Sequence, residues 1–222
     1  MGLDIYVGSL TRYYAGEWEN VAEKATATDR PEDRKALQLA IQAWRSILSE
    51  SLGGNISHAL EWDEAVEAPY FTGRPGWDGF GSLVLWAAYA EHPTLSRPAV
   101  LPEEWDDDPA LMMSNVAGFR SRYSHLVRNV ELWLPSSFEF TFEGEDIDGT
   151  RVVFGSTMTL KRQLEVLNAA TWQANAAELG AWKRASPDRS TSLELQARYA
   201  FAILSDLVRE AVEHNLPMKL DY

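Results

Sequence analysis

The sequence contains no cysteine. Disulfides, thiolate zinc centres and cysteine nucleophiles are therefore excluded. Histidine is scarce, at four residues, His58, His92, His125 and His214. None of them sits in an H-E-x-x-H pair, and neither G-x-x-x-x-G-K-[ST] nor G-x-S-x-G occurs. The longest apolar run, "LVLWAAYA" at 83–90, is too short to span a bilayer, so no membrane contact is expected. The start, "MGLDIYVGSL", lacks a basic leader, and the expected location is the cytoplasm. Basic residues are the minority, 20 Lys and Arg against 33 Asp and Glu, which leaves a formal net charge of −13. A surface of that sign repels phosphate, so no nucleic-acid partner is expected.

The acidic excess is uneven. Between Glu61 and Asp108 eleven carboxylates face only Arg74 and Arg97, so that stretch carries −9 of the −13. Six of the ten prolines also fall at 69–109, together with many of the aromatic residues. A long, proline-broken stretch inside a domain is more often functional than the elements around it. The segment at about 55–109 therefore reads as an irregular, insertion-like acidic and aromatic surface within a single domain of residues 1–222.

The flanking sequence reads as α+β. Alternation at 2–8, the segment 130–134, "FEFTFE" at 138–143 and the return at 151–155 predict a small, mainly antiparallel sheet, with Asp148-Gly149 as a turn. Three longer helices are expected near 32–52, 157–184 and 191–214. The first is capped by Thr28 or Asp29, begins with Pro31, and carries Trp44 and Leu48 as core positions on one apolar stripe. Asp108 and Pro109 mark the start of a further helix, and Ser156 or Thr157 the start of the one after the sheet.

Four stretches are candidates for chemistry. "GRPGWDGFGS" at 73–82 lacks phosphate-loop spacing and a following lysine. It is expected to be a structured loop, anchored by Trp77 and Phe80, that leads into a buried helix at 82–91. "HALEWDE" at 58–64 places His58 and Glu61 at a spacing that a metal could use, but with no second pair. "EDIDGT" at 145–150 lacks the full calcium-loop ligand set and reads as a turn. "PEEWDDDP" at 102–109 combines consecutive carboxylates with one tryptophan, as an acidic docking patch with an aromatic anchor would.

The functional expectation is a cytoplasmic, acidic protein-binding module with no cofactor and no metal. An immunity or antitoxin-type inhibitor of a basic, nucleic-acid-acting protein is of this kind. Its binding residues would be Trp77, Asp78, Glu103, Glu104, Trp105, Asp106, Asp107 and Asp108. The alternative is a hydrolase using carboxylate or metal chemistry within 58–108. Composition sets neither the partner's identity nor the oligomeric state.

Overall fold

The computed structural model of the chain describes residues 2–19, 31–56, 59–65 and 67–222. Thr28, Asp29 and His58 lie outside the described residues. In chain order the elements are β1 (Asp4–Val7), α1 (Leu10–Tyr14), α2 (Pro31–Leu52), β2 (Phe71–Gly73), α3 (Gly76–Glu91), α4 (Pro109–Ala117) and α5 (Ser124–Val127). They continue with β3 (Leu132–Leu134), β4 (Phe142–Glu145), β5 (Arg151–Ser156), α6 (Thr157–Ala170), α7 (Ala176–Arg184), α8 (Leu193–Glu213) and β6 (Met218–Asp221).

The strands form one sheet in the order β2-β1-β6-β3-β5-β4. Every neighbouring pair is antiparallel except β3 with β5. The fold is α+β and the sheet mainly antiparallel, as expected, but with six strands and one parallel pair it is mixed and not small. The parallel pair arises because β4 and β5 form a hairpin around Asp146–Thr150 and place β5, not β4, beside β3.

Period-two alternation divides the sheet between two cores. Leu132, Leu134, Val152 and Phe154 pack on one face with Leu10 and Ile41. Ile5, Val7, Trp133, Met218 and Leu220 point the other way, into a larger core with α3 and α8. Among the described residues, α3 and α8 form the most extensive helix–helix packing. Gly79 on α3 faces Ala200 and Tyr199 on α8, and Gly73 on β2 leaves room for Ile203 and Leu207. A Cβ at position 73 would lie 2.7 Å from Ile203, so the strand approaches α8 only as glycine.

Several expected boundaries move. Residues 76–81 are not a loop before a helix; they are the first turns of α3 itself, entered through Gly76 at φ +66°. Phe80 is buried as expected, whereas Trp77 is 37% exposed. Only Phe142 of the phenylalanine run is in a strand, because Phe138 and Phe140 turn inward in a ring cluster with Phe142. The helix expected over 157–184 is two helices. Gln173 at φ +52° ends the first connection, and Asn175 with Glu178 forms a reciprocal cap that starts α7. On α2 the fully buried stripe residue is Ile41; Trp44 and Leu48 are half-buried, with the Trp44 indole donating to the Glu145 carbonyl at 2.9 Å.

Candidate functional site

A single 3-10 turn, Trp105–Asp107, connects the proline-rich segment to α4. Its backbone closes through Asp107 N–H to the Glu104 carbonyl and Asp108 N–H to the Trp105 carbonyl, both 3.2 Å. The Trp105 ring lies against α3 at Gly81, where even a methyl group would come within 2.7 Å of it. This tryptophan is therefore half-buried and holds the turn in place. Around it Glu103, Glu104, Asp106 and Asp107 are all exposed to solvent.

Asp108 does not belong to that exposed row. It is buried, caps α4 by accepting from Ala110 N–H at 2.8 Å, and accepts from the Tyr89 hydroxyl at 3.0 Å. Burial, reinforced by this carboxylate, pushes the Tyr89 phenol up to about 12. Asp108 is thus a fastening between α3 and α4. The repulsion expected among three consecutive aspartates is relieved by withdrawing the third from the surface.

Beyond the cap, α4 presents two faces. Ala110, Leu111 and Ser114 are buried against the core. Met112, Met113 and Val116 point outward, with Val116 86% exposed. Three of nine helix residues are therefore large apolar side chains in water, directly after four exposed carboxylates. Such a patch is what a partner covers. Methionine also adapts its shape to a partner at low cost.

The remaining predicted residues lie at the start of α3. Trp77 packs edge-on against Tyr222, with ring centroids 5.1 Å apart, and Asp78 is half-buried in the first turn. Residues 77 and 81 are four apart on α3 and share a face. Trp77 and the Trp105-anchored turn consequently lie on the same side of this helix, one turn apart.

The acidic stretch as a whole is not one surface. Trp62 packs in the smaller core with α2, and Arg45 donates to its carbonyl at 2.8 Å. Glu64 is consumed as a clamp on α1, accepting from Leu10 N–H at 3.1 Å, from Thr11 N–H at 2.7 Å and from the Trp62 indole. Glu91 is likewise occupied, accepting from Ser114 and Ser121 hydroxyls at 3.0 and 2.7 Å and from Arg122 N–H at 3.0 Å. Its role is to tie α3 to α4 and to the chain leading into α5. Among the described residues no three His, Asp or Glu side chains group as metal ligands would.

No protein-family model, curated protein or solved structure matches the chain.

Sequence reasoning missed Met112, Met113 and Val116. The signal was present, since on a helix starting at Pro109 they occupy i, i+1 and i+4 opposite Leu111 and Ser114. A nine-residue helix is too short for its apolar residues to be assigned to core or surface from spacing alone.

Proposed function

We propose that this chain is a protein-binding module that seats a basic protein partner on the 103–107 turn and the outer face of α4. The observation that carries this reading is the juxtaposition of four exposed carboxylates with exposed Met112, Met113 and Val116. The apolar face supplies contact energy, and the carboxylates supply steering and select the charge of the partner. A second copy of this chain is disfavoured as occupant, because a two-fold interface would set the same four carboxylates against each other. A nucleic-acid-acting enzyme is the kind of partner that fits, since a surface built to bind phosphate is basic. An inhibitor covering such a surface would act as an immunity or antitoxin-type protein.

The test is affinity capture from the source cell with the wild-type chain, a Glu103→Gln/Glu104→Gln/Asp106→Asn/Asp107→Asn variant, and Val116→Asp. A basic protein retained by the wild type and lost from both variants supports the reading. With that protein purified, the quadruple variant should slow association, and the difference should shrink at high salt. Self-association in sedimentation, abolished by Val116→Asp, would overturn the reading in favour of a homodimer. Retention of the same protein by both variants would move the interface elsewhere.

A further inference from the structure

In a chain of net charge −13, one cavity sets two arginines against a single carboxylate. It measures about 470 Å³ and lies between α6, the segment leading into α5, and residues 139–140. Small-molecule sites commonly fall in the range of about 300–1,000 Å³. Arg122 and Arg162 line it with a single carboxylate, Glu139. Phe140 supplies an apolar wall, and Ser124 and Gln163 supply polar atoms from within the protein.

Those two polar residues are fixed in position. The Gln163 carbonyl accepts from His125 N–H at 2.9 Å, and its amide donates to the Ser124 hydroxyl at 3.2 Å. Ser124 Oγ lies 3.2 Å from His125 Nδ1. The imidazole is wholly buried, and desolvation lowers its pKa to about 4, so it is neutral at physiological pH. Its neighbours act in both directions: the Glu139 carboxylate and the Phe140 backbone favour the charged form, while Arg162 and Arg128 oppose it. The Gln163 amide, the Ser124 hydroxyl and His125 Nδ1 thus form one hydrogen-bonded cluster. Gly155 on β5 makes room for this ring, since a Cβ there would come within 3.0 Å of His125 Cδ2. With one position taken by Gln163 and one by His125 Nδ1, Ser124 Oγ keeps one further hydrogen-bonding position for a group in the cavity.

We propose that this cavity binds a small organic oxyanion, a carboxylate or a phosphate ester, between Arg122 and Arg162, with its apolar body on Phe140 and a hydroxyl hydrogen-bonded to Ser124. The guanidinium fork matches both kinds of oxyanion. Arg162 is paired with Glu139, but both side chains are more than half exposed. Exposed pairs of this kind are weak, so an incoming oxyanion can displace Glu139 from the guanidinium. The site is assigned to binding and not to acyl transfer from Ser124. A base whose conjugate acid titrates near 4 is too weak to take the hydroxyl proton at neutral pH.

Titration calorimetry on the full chain at low salt tests this, with 4-hydroxyphenylacetate, 4-hydroxyphenyl phosphate and inorganic phosphate as probes. Saturable binding of one equivalent of either aromatic probe is expected. Arg122→Gln and Arg162→Gln should each weaken it about tenfold or more. Glu139→Gln should tighten it, whereas Glu143→Gln, an exposed carboxylate paired with Arg151, should not. Phe140→Ala should weaken the aromatic probes and leave inorganic phosphate unchanged. The two aromatic probes distinguish carboxylate from phosphate as the preferred headgroup. Absence of saturable binding by either aromatic probe at millimolar concentration overturns the proposal. Binding that is insensitive to both arginine variants, or equally enhanced by Glu139→Gln and Glu143→Gln, overturns it as well. The arginine side chains lie at the rim, so folding of those variants is checked directly by their melting temperatures.

Discussion

Replacing Gly81 with alanine tests how the acidic turn is held. Alanine is the better helix former by about 1 kcal/mol, and α3 is helical on both sides of position 81. Taken alone, that would stabilise the protein. The new Cβ, however, would lie 2.7 Å from Trp105 Cε2 and 2.9 Å from Cδ2. Carbon contacts settle near 3.5–4.0 Å, so the ring must retreat by about 1 Å or swing off α3. A tryptophan side chain buries roughly 150–250 Å², and this one is half-buried, so leaving its seat exposes about 100 Å². At about 25 cal/mol per Å² the loss is about 2.5 kcal/mol, and the net destabilisation is about 1–2 kcal/mol. The assay is urea denaturation of Gly81→Ala in two backgrounds, wild type and Trp105→Ala. With the indole removed the clash disappears, and Gly81→Ala should stabilise by about 1 kcal/mol. The reversal of sign between backgrounds is the diagnostic. Gly81→Ala with the same sign and size in both would refute the packing of Trp105 on α3, and with it the account of how the turn is fixed.

Asp108→Ala should cost about 2–3 kcal/mol in the same denaturation, since it removes a cap and orphans the Tyr89 hydroxyl. Asp106→Asn and Asp107→Asn should each change stability by less than about 0.5 kcal/mol; a cost for either near that of Asp108→Ala would count against their exposure. Ile41→Ala should cost about 2–5 kcal/mol, because the side chain is fully buried. Acid should weaken the fold through His125. Its folded pKa of about 4 lies below the ordinary value of about 6.5, so between these values only the unfolded chain takes up the proton. The contribution of the neutral ring is full above about pH 6.5 and falls, by up to about 3 kcal/mol, as pH drops to about 4. A His125→Gln variant should lose correspondingly less stability between pH 7 and 4.5, and parallel losses would show that the ring does not titrate there.

Local signals with a short physical range were readable in the sequence. Asp108-Pro109 and Ser156 mark helix starts because capping is decided within three residues, and both caps are made by the expected side chains. Asp148-Gly149 marks a turn for the same reason, with Gly149 at φ +81°. The Asn175–Glu178 cap is equally local, but it lies inside a run of helix-forming residues that reads as one helix. Elements that owe their conformation to distant partners were not readable. β6 has only four residues, Met218–Asp221, and no expected strand covers them. In the fold Lys219 is buried, paired with Asp146 at 3.0 Å, with Tyr13 and Tyr14 around it. The glycine-rich start of α3 reads as a loop because glycine disfavours helix in isolation. It is helical because Gly79 and Gly81 admit α8 and Trp105 to close packing. The acidic row was visible as composition, but its division into fastenings (Glu64, Glu91, Asp108) and exposed groups depends on contacts made far along the chain.

The position of β6 in the sheet has a kinetic consequence. It lies between β1 and β3 and pairs with both, so residues 4–7 meet residues 218–221. Before β6 docks, β2-β1 and β3-β5-β4 are two separate ribbons, each with an open inner edge. Their union is a closure of nearly the whole described chain, and such closure carries an entropic cost with little local contact to offset it in advance. Joining the ribbons is therefore the step expected to limit the rate of assembly, and stopped-flow refolding of a β6 variant checks it. A chain nicked in the turn between α8 and β6 would keep a slot one strand wide, which a peptide of residues 216–222 could enter to restore the sheet.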